Sequence, residues 1–353
     1  MKKLLAIFLA LLLLTGCSGP ASSGGNDATA TDPSITDKVL QIHFIDVGQA
    51  DCIFIEYGDF AMLIDGGNKA DSSLVVSYLE QQGVEELDAV VCTHAHEDHV
   101  GGLPAVLAVY PTKAVYAPTK TYSSNIFDSF LYYVDQQGLE VTIPTPGDTI
   151  EADGLGITVL GPVESYADPN NTSIVLLLSH GENRFLFTGD MEKEAEGDML
   201  DHWGDSFDWS VDVLKAGHHG SNTSTGYRFL NAVMPDYTVI SVGKDNSYGH
   251  PGESTLSRLE DAESIVFRTD LLGTVIATSD GKEVTMTWVN QSTQPDTPES
   301  GPDAIPYIGN KNSKKFHLPT CGSLPSESNR VYFDRYEDAM AEGYTPCANC
   351  IGS

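Results

Sequence analysis

The stretch His94-Ala95-His96-Glu97-Asp98-His99 directly follows a short apolar run that predicts a buried strand. A chance cluster on a solvated loop is the alternative, and the presence of only ten histidines in 353 residues argues against it. Imidazole and carboxylate side chains suit Zn²⁺, Mn²⁺ or Fe. A loop this rich in ligands can serve two ions, one taking His94 and His96 and the other taking Asp98 and His99.

Outward from this stretch, the sequence falls into two halves with the same order of elements. Each half runs from a strand hairpin to an aspartate, then through a helix and a buried strand to a histidine. The aspartate and histidine are Asp65 and His94 in the first half, and Asp190 and His218 in the second. This repeat predicts two facing βα halves, with the chemistry located where the strands end.

Seven short motifs lie between residues 40 and 285 of a predicted large domain, 38–290. They are Asp46-Val47-Gly48-Gln49-Ala50-Asp51, Leu63-Ile64-Asp65-Gly66-Gly67, Thr93 to Gly102, Asn171-Thr172-Ser173, Phe187-Thr188-Gly189-Asp190, His218-His219-Gly220-Ser221 and Tyr248-Gly249-His250-Pro251. Together they resemble the metallo-β-lactamase fold superfamily, and more specifically the extracellular hydrolase domain of the ComEC competence proteins. The resemblance implies an α/β protein, an αββα sandwich with two divalent ions, Zn or Mn, at one edge.

The resemblance also assigns roles to the acidic and histidine residues. It makes Asp190 the ligand that bridges the two ions, and a carboxylate at a strand end is well placed to do so. We favour His218, nearest to the strand end, as the last ligand of the second ion. Because two adjacent histidines on a turn do not easily face one centre, His219 is expected to contact the ligands or the substrate. Asp65 is expected to orient a histidine and water rather than to bind metal.

Several further positions are expected to support the ligands or contact the substrate. Those placed there by their motifs are Asp46, Gln49, Asn171 and Ser173. Many relatives carry a histidine where this chain has Asn171, so the first ion is left with fewer strong ligands; the ComEC branch has a similar asparagine pattern. His250 either donates a proton to a leaving oxygen or caps its turn. Asp98 is expected to hold or deprotonate the attacking water as well as to bind metal.

The N-terminal residues indicate export. Residues 1–16 contain two lysines and a long apolar run, which is typical of a secretory signal too short to span a bilayer. The run ends in Leu-Thr-Gly before Cys17 and resembles a bacterial lipobox, in which that cysteine is lipidated; an ordinary signal peptide is the alternative. Residues 17–37 read as a flexible tether. We therefore expect a lipoprotein that is secreted across the cytoplasmic membrane and anchored at the cell surface.

The C-terminal residues form a separate unit in this interpretation. A proline-rich linker, 291–302, precedes a small module, 303–353. The spacings His-x3-Cys and Cys-x2-Cys are typical of a tetrahedral zinc site. The four candidate ligands are His317, Cys321, Cys347 and Cys350. The module resembles the metal-binding domain of the DNA-repair protein Ada, and a disulfide between its last two cysteines is the alternative.

Composition limits the partners. The chain has 50 acidic and 19 basic residues and a formal net charge of −31. This charge excludes a basic protein that binds nucleic acids tightly and without sequence preference. Its 41% hydrophobic content is enough for a large core. No protein partner is identified by the sequence.

Three functions remain open. The first is a membrane-anchored, metal-dependent phosphodiesterase or nuclease that uses a metal-activated water, with DNA as one candidate substrate. The second is a hydrolase of a non-nucleotide phosphoester, of the cell-wall or choline type, or of an acyl bond. The third is a non-catalytic surface binding protein. Retention of Asp98 argues against the third, because an apolar residue would serve a purely structural role better.

Overall fold

The structure, a computed structural model, describes residues 38–289, 307–317, 321, 323–333, 339 and 342–347. The predicted signal peptide, tether and linker lie outside the described residues, as do Cys17 and Cys350. The domain boundaries therefore stay predictions.

Short apolar strands alternate with helices along the chain. The strands are β1 (Leu40–Phe44), β2 (Ile53–Tyr57), β3 (Phe60–Ile64), β4 (Leu87–Val91), β5 (Thr112–Tyr116), β6 (Val141–Thr142), β7 (Thr149–Ile150), β8 (Gly156–Gly161), β9 (Val175–His180), β10 (Asn183–Phe187), β11 (Val213–Lys215), β12 (Tyr237–Ile240), β13 (Ile265–Arg268), β14 (Thr274–Ser279), β15 (Val284–Val289), β16 (Tyr307–Asn310), β17 (Lys315–His317), β18 (Arg330–Phe333) and β19 (Thr345–Pro346). The helices are α1 (Ser72–Gln81), α2 (Glu97–Val100), α3 (Leu103–Val109), α4 (Asn125–Gln136), α5 (Lys193–Trp203), α6 (Tyr227–Val233), α7 (Glu253–Asp261) and α8 (Thr269–Leu272).

Two mixed sheets form the large domain. The first has eight strands in the order β15-β14-β1-β2-β3-β4-β5-β6, and the second has seven in the order β13-β12-β11-β10-β9-β8-β7. In the first sheet, β2 and β3 form an antiparallel hairpin with Ile53 opposite Ile64, and β3 to β6 run parallel. In the second sheet, β9 and β10 form the corresponding hairpin and β10 to β13 run parallel. The predicted repeat of hairpin followed by parallel strands is thus present in both halves.

The apolar side chains divide into three clusters that define the layers. The central cluster combines strands of both sheets, and within it the rings of Phe44 and Phe187 are 6.3 Å apart. One outer cluster joins the first sheet to α1, α3 and α4, and the other joins the second sheet to α5, α6 and α7. Successive residues of β10 alternate between layers, with Phe185 facing the central cluster and Leu186 an outer one. The predicted αββα sandwich is confirmed.

Two adjacent glycines allow a close approach of backbones beside the histidine-rich loop. A Cβ atom on Gly102 would overlap the carbonyl oxygen of Gly66, and one on Gly101 would overlap the backbone nitrogen of Lys69. The loop after β3 therefore packs directly on the short helix α2. This contact brings Asp65, at the end of β3, towards the residues that follow β4.

The described part of the C-terminal module has its own small sheet, with the strand order β18-β16-β17-β19. Its apolar core is limited to a few side chains, with Phe316, Phe333, Ala339 and Tyr344 buried. A core this small is typical of units that need a metal or disulfide for stability.

Within the described ranges, the helices are all too short or too polar to cross a bilayer.

Candidate metal centre

Four side chains from three separated loops meet at the centre of the site. One potential ligand atom from each of Asp98, His99, Asp190 and His219 lies within 4.8 Å of the others. Asp190 Oδ2 is 3.3 Å from His99 Nε2 and 3.6 Å from His219 Nε2. Asp98 Oδ2 is 3.4 Å from His219 Nε2. Asp98 is the partly exposed member of this group and the other three are buried, so the cluster opens to solvent on the side of Asp98.

The histidines at the start of the loop lie beside this cluster. His94 Nε2 is 3.0 Å from His96 Nδ1 and 4.0 Å from Asp190 Oδ2. The His94 and His99 rings are 4.1 Å apart. The Asp190 carboxylate is therefore near ligand atoms of both predicted metal sites, as a bridging ligand requires.

The two adjacent histidines of the second half both lie near Asp190. His219, not His218, belongs to the cluster with Asp98 and Asp190. Both histidines have left-handed backbone, with φ of 48° and 52°, which turns consecutive side chains towards the same region. His218 Nε2 is still 3.7 Å from Asp190 Oδ2, while its Nδ1 lies 3.0 Å from Glu192 Oε1. Both adjacent histidines therefore approach Asp190, an arrangement that the sequence made appear difficult, and the preference for His218 as the metal ligand stays a prediction.

Asp65 orients His99 through a short contact. Asp65 Oδ2 is 2.8 Å from His99 Nδ1, and both carboxylate oxygens also accept hydrogen bonds from Thr93, one from its backbone N–H and one from its hydroxyl. Burial raises the pKa of Asp65, while the contact with His99 acts in the opposite direction. Since Nδ1 is occupied, His99 presents Nε2 to the cluster.

Ser173 and Asn171 support the residues around the first pair of histidines. Ser173 Oγ accepts the backbone N–H of Asp190 at 3.0 Å and lies 3.4 Å from His94 Nδ1. Asn171 uses its amide differently: its oxygen accepts the backbone N–H of Glu192, and its nitrogen donates to Glu194. The asparagine thus organises the start of α5, at the position where many relatives carry a histidine.

His250 lies at the rim of the site. Its ring is 5.6 Å from that of His218, and its Nδ1 is 3.4 Å from Gln49 Nε2. Gln49 Oε1 accepts the Gly243 N–H, so this side chain ties the loop of His250 to the first half of the domain. Asp46 accepts the Gly48 N–H and holds the turn that carries Gln49. Burial lowers the pKa of His250, and the neighbouring His218 acts in the same direction.

An ion pair that the sequence analysis missed lies behind His219. Lys215 Nζ is 2.6 Å from Asp51 Oδ2, and the side chains are 0% and 1% exposed. Asp51 Oδ1 is in turn 3.3 Å from His219 Nδ1, which also lies 3.0 Å from the carbonyl oxygen of Ser241. Burial opposes ionisation of Asp51, but Lys215 and His219 hold its pKa below the ordinary value. The sequence feature that could have indicated this pair is the single lysine in an apolar strand, because a buried lysine needs an anionic partner.

The donor set fits divalent cations. Among the described residues, His99 Nε2, His219 Nε2 and Asp190 Oδ1 are buried atoms without a hydrogen-bond partner. Orphaned polar atoms of this kind are costly unless another group satisfies them. Burial opposes the charged form of Asp190, but the surrounding histidines lower its pKa well below the ordinary value. For His94, burial lowers the pKa well below the ordinary value and favours the neutral imidazole that binds metal.

A second candidate site lies in the C-terminal module. His317, Cys321 and Cys347 are buried, with potential ligand atoms within 4.8 Å of one another. His317 Nδ1 is 3.3 Å from Cys321 Sγ. Two sulfurs and one imidazole suit Zn²⁺, and the fourth predicted ligand, Cys350, lies outside the described residues.

Comparison with known protein families gives two matches. The metallo-beta-lactamase superfamily matches residues 45–244, and the metal binding domain of Ada matches residues 300–351. The first range includes Asp98, His99, Asp190 and His219, and the second includes the four candidate zinc ligands of the module.

Individual relatives match mainly the large domain. ComE operon protein 3 of Bacillus subtilis is 32% identical over 254 residues, covering 67% of this chain and 32% of that relative. Recombination protein 2 of Haemophilus influenzae is 32% identical over 250 residues, covering 68% and 29%. A hydroxyacylglutathione hydrolase of Tolumonas auensis is 35% identical over 120 residues, covering 32% and 45%. The chain thus spans about a third of the length of the first two relatives.

Proposed function

Because the chain belongs to the metallo-β-lactamase superfamily, whose members include metal-dependent hydrolases, we propose that it hydrolyses phosphodiester bonds, with nucleic acids as the candidate substrates. The observation that carries the proposal is the buried Asp190 carboxylate between two sets of histidines. Two cations bound there would lower the pKa of a coordinated water and neutralise charge on phosphate oxygens. The strongly acidic chain supplies little positive charge of its own for this purpose.

Residues of the chain supply the remaining chemistry. Asp98 is the partly exposed member of the cluster, where its carboxylate can orient the attacking water and accept its proton. His250 is at the rim, where it can give a proton to the leaving oxygen; its contact with Gln49 holds the ring in place. Asp65, Ser173 and Asp51 keep the histidines in orientation.

An acyl bond is the second candidate substrate. It is favoured by the similarity to a protein named hydroxyacylglutathione hydrolase, which covers 32% of the chain. The phosphodiester is preferred because the relatives that match about two thirds of the chain include one named Recombination protein 2, whereas the hydroxyacylglutathione hydrolase matches about a third of it.

The test is hydrolysis by the full chain after chelation and after addition of Mn²⁺ or Zn²⁺. The substrates are single-stranded DNA, RNA, a phosphocholine ester, a glutathione thioester and a β-lactam. We expect nucleic-acid cleavage that the chelator removes and at least one of the two ions restores. Thioester or β-lactam turnover without phosphodiester cleavage would reverse the ranking. Metal binding with no turnover of any substrate would favour the non-catalytic alternative.

We also propose that the protein is exported and anchored to the membrane by a lipid on Cys17. The support is the apolar run followed by Leu-Thr-Gly-Cys in the sequence. The Cys17→Ser variant is expected to lose labelling by a palmitate analogue and to leave the membrane fraction of expressing bacteria. A variant that stays labelled and membrane-bound would disprove lipidation at this residue.

A further inference from the structure

An exposed aromatic side chain stands at the rim of the metal centre. Tyr248 is 72% exposed, whereas tyrosine is on average intermediate in burial between apolar and charged residues. Its ring stacks on that of His250, with centroids 5.7 Å apart and planes 26° apart. His250 is in turn 5.6 Å from His218, whose Nε2 approaches Asp190. Two successive ring contacts therefore connect Tyr248 to His218, which lies beside the Asp190 carboxylate.

The loop that carries Tyr248 is held in one conformation by a single side chain. Asn246 Oδ1 accepts the backbone N–H groups of Tyr248 and His250, at 3.1 and 3.0 Å. Asn246 Nδ2 donates to the carbonyl oxygens of Gly243 and His250, at 2.9 and 2.7 Å. An exposed tyrosine on a fixed loop can contact a ligand with little loss of conformational entropy.

The charge of the chain limits how a nucleic acid can be held. With a net charge of −31, binding along the phosphate backbone is unfavourable away from the metal centre. Stacking on an aromatic ring does not require positive charge, and it accepts every base because every base has a π-face. One face of Tyr248 is against His250, so the exposed area includes the opposite face.

We propose that Tyr248 is a stacking platform for the base next to the bond that is cut, which makes the site select unpaired nucleotides over base-free phosphodiesters. The inference rests on the proposed phosphodiesterase function. It identifies the substrate class as single-stranded nucleic acid, because the bases of a duplex are stacked on one another and not available to the ring.

The experiment compares two compounds that share the phosphodiester and the furanose backbone and differ in whether they carry bases. One is thymidylyl-(3′→5′)-thymidine, and the other carries 1,2-dideoxyribose in place of both nucleosides. Cleavage by the full chain with Mn²⁺ is followed by mass spectrometry. Tyr248→Ala is expected to raise KM for the thymidine dinucleotide about 5- to 30-fold, as the loss of one stacked base does, and to leave the base-free compound unchanged.

Three variants separate stacking from other effects. Tyr248→Phe keeps the ring and should retain the preference for the base-bearing dinucleotide, whereas Tyr248→Leu should lose it. Tyr132→Ala, at a 55% exposed tyrosine of α4, should have no effect. If Tyr248→Ala raised KM equally for the thymidine dinucleotide and the base-free compound, or for neither, the stacking role would be overturned and the phosphodiesterase proposal would stay intact. Failure of the unsubstituted chain to cleave any phosphodiester would overturn both.

Discussion

Asp98→Ala is expected to lower phosphodiester hydrolysis about 10²- to 10⁴-fold, the range for loss of a positioned proton acceptor. Burial opposes ionisation of Asp98, but the contact with His219 and the nearby His99 lower its pKa well below the ordinary value, so the carboxylate is anionic. The substitution removes one of the four clustered ligand groups, and Asp98 is the only one of the four that is partly exposed to solvent. Hydrolysis rates with Mn²⁺ and Zn²⁺ measure the loss of the proton acceptor, and metal content by mass spectrometry measures the loss of the ligand.

The matched control for this variant is the neighbouring residue. Glu97 is exposed on the same short helix, and its carboxylate accepts the backbone N–H of Lys69 rather than facing the cluster. Glu97→Ala should therefore keep its metal and stay within about threefold of the unsubstituted rate, as expected for a surface change away from the reacting groups. If Asp98→Ala hydrolysed phosphodiesters as fast as Glu97→Ala, the assigned role of Asp98 would be wrong.

The second large effect is expected on stability. Lys215→Met should lower the free energy of unfolding by about 3–5 kcal/mol, because it leaves the buried Asp51 carboxylate without its cation. The ion pair is 2.6 Å long and both side chains are essentially inaccessible. Urea unfolding at a constant metal concentration measures the change, since bound metal itself contributes to stability.

Two controls show whether the lower free energy of unfolding comes from the unpaired Asp51 charge. Lys113 is 56% exposed and pairs with Glu86 and Asp88, so Lys113→Met should change the free energy of unfolding by no more than about 1 kcal/mol. The double variant Asp51→Asn/Lys215→Met removes both charges and should recover part of the loss. A single Lys215→Met variant as stable as the unsubstituted chain would contradict the ion-pair argument.

Much of the fold was predictable from local patterns. Alternating apolar residues predict strands such as β1, and a hairpin followed by a parallel strand recurs in each half. The aspartates and histidines could be found because they follow strand ends, where parallel strands place their chemistry at one edge of a sheet. The resemblance of the motifs to a known superfamily then predicted the sandwich, which the two sheets and their outer helices confirm.

What the sequence by itself determined was the kind of ligands and the order in which the chain presents them. The tertiary structure alone decided that His219 joins Asp98 and Asp190, and that Lys215 neutralises Asp51 behind it. The first depends on left-handed backbone at two consecutive residues, a conformation set by the surrounding packing rather than by histidine itself. The second joins residues 164 positions apart, and only the stacking of the two sheets brings a buried lysine to the aspartate that makes its charge tolerable.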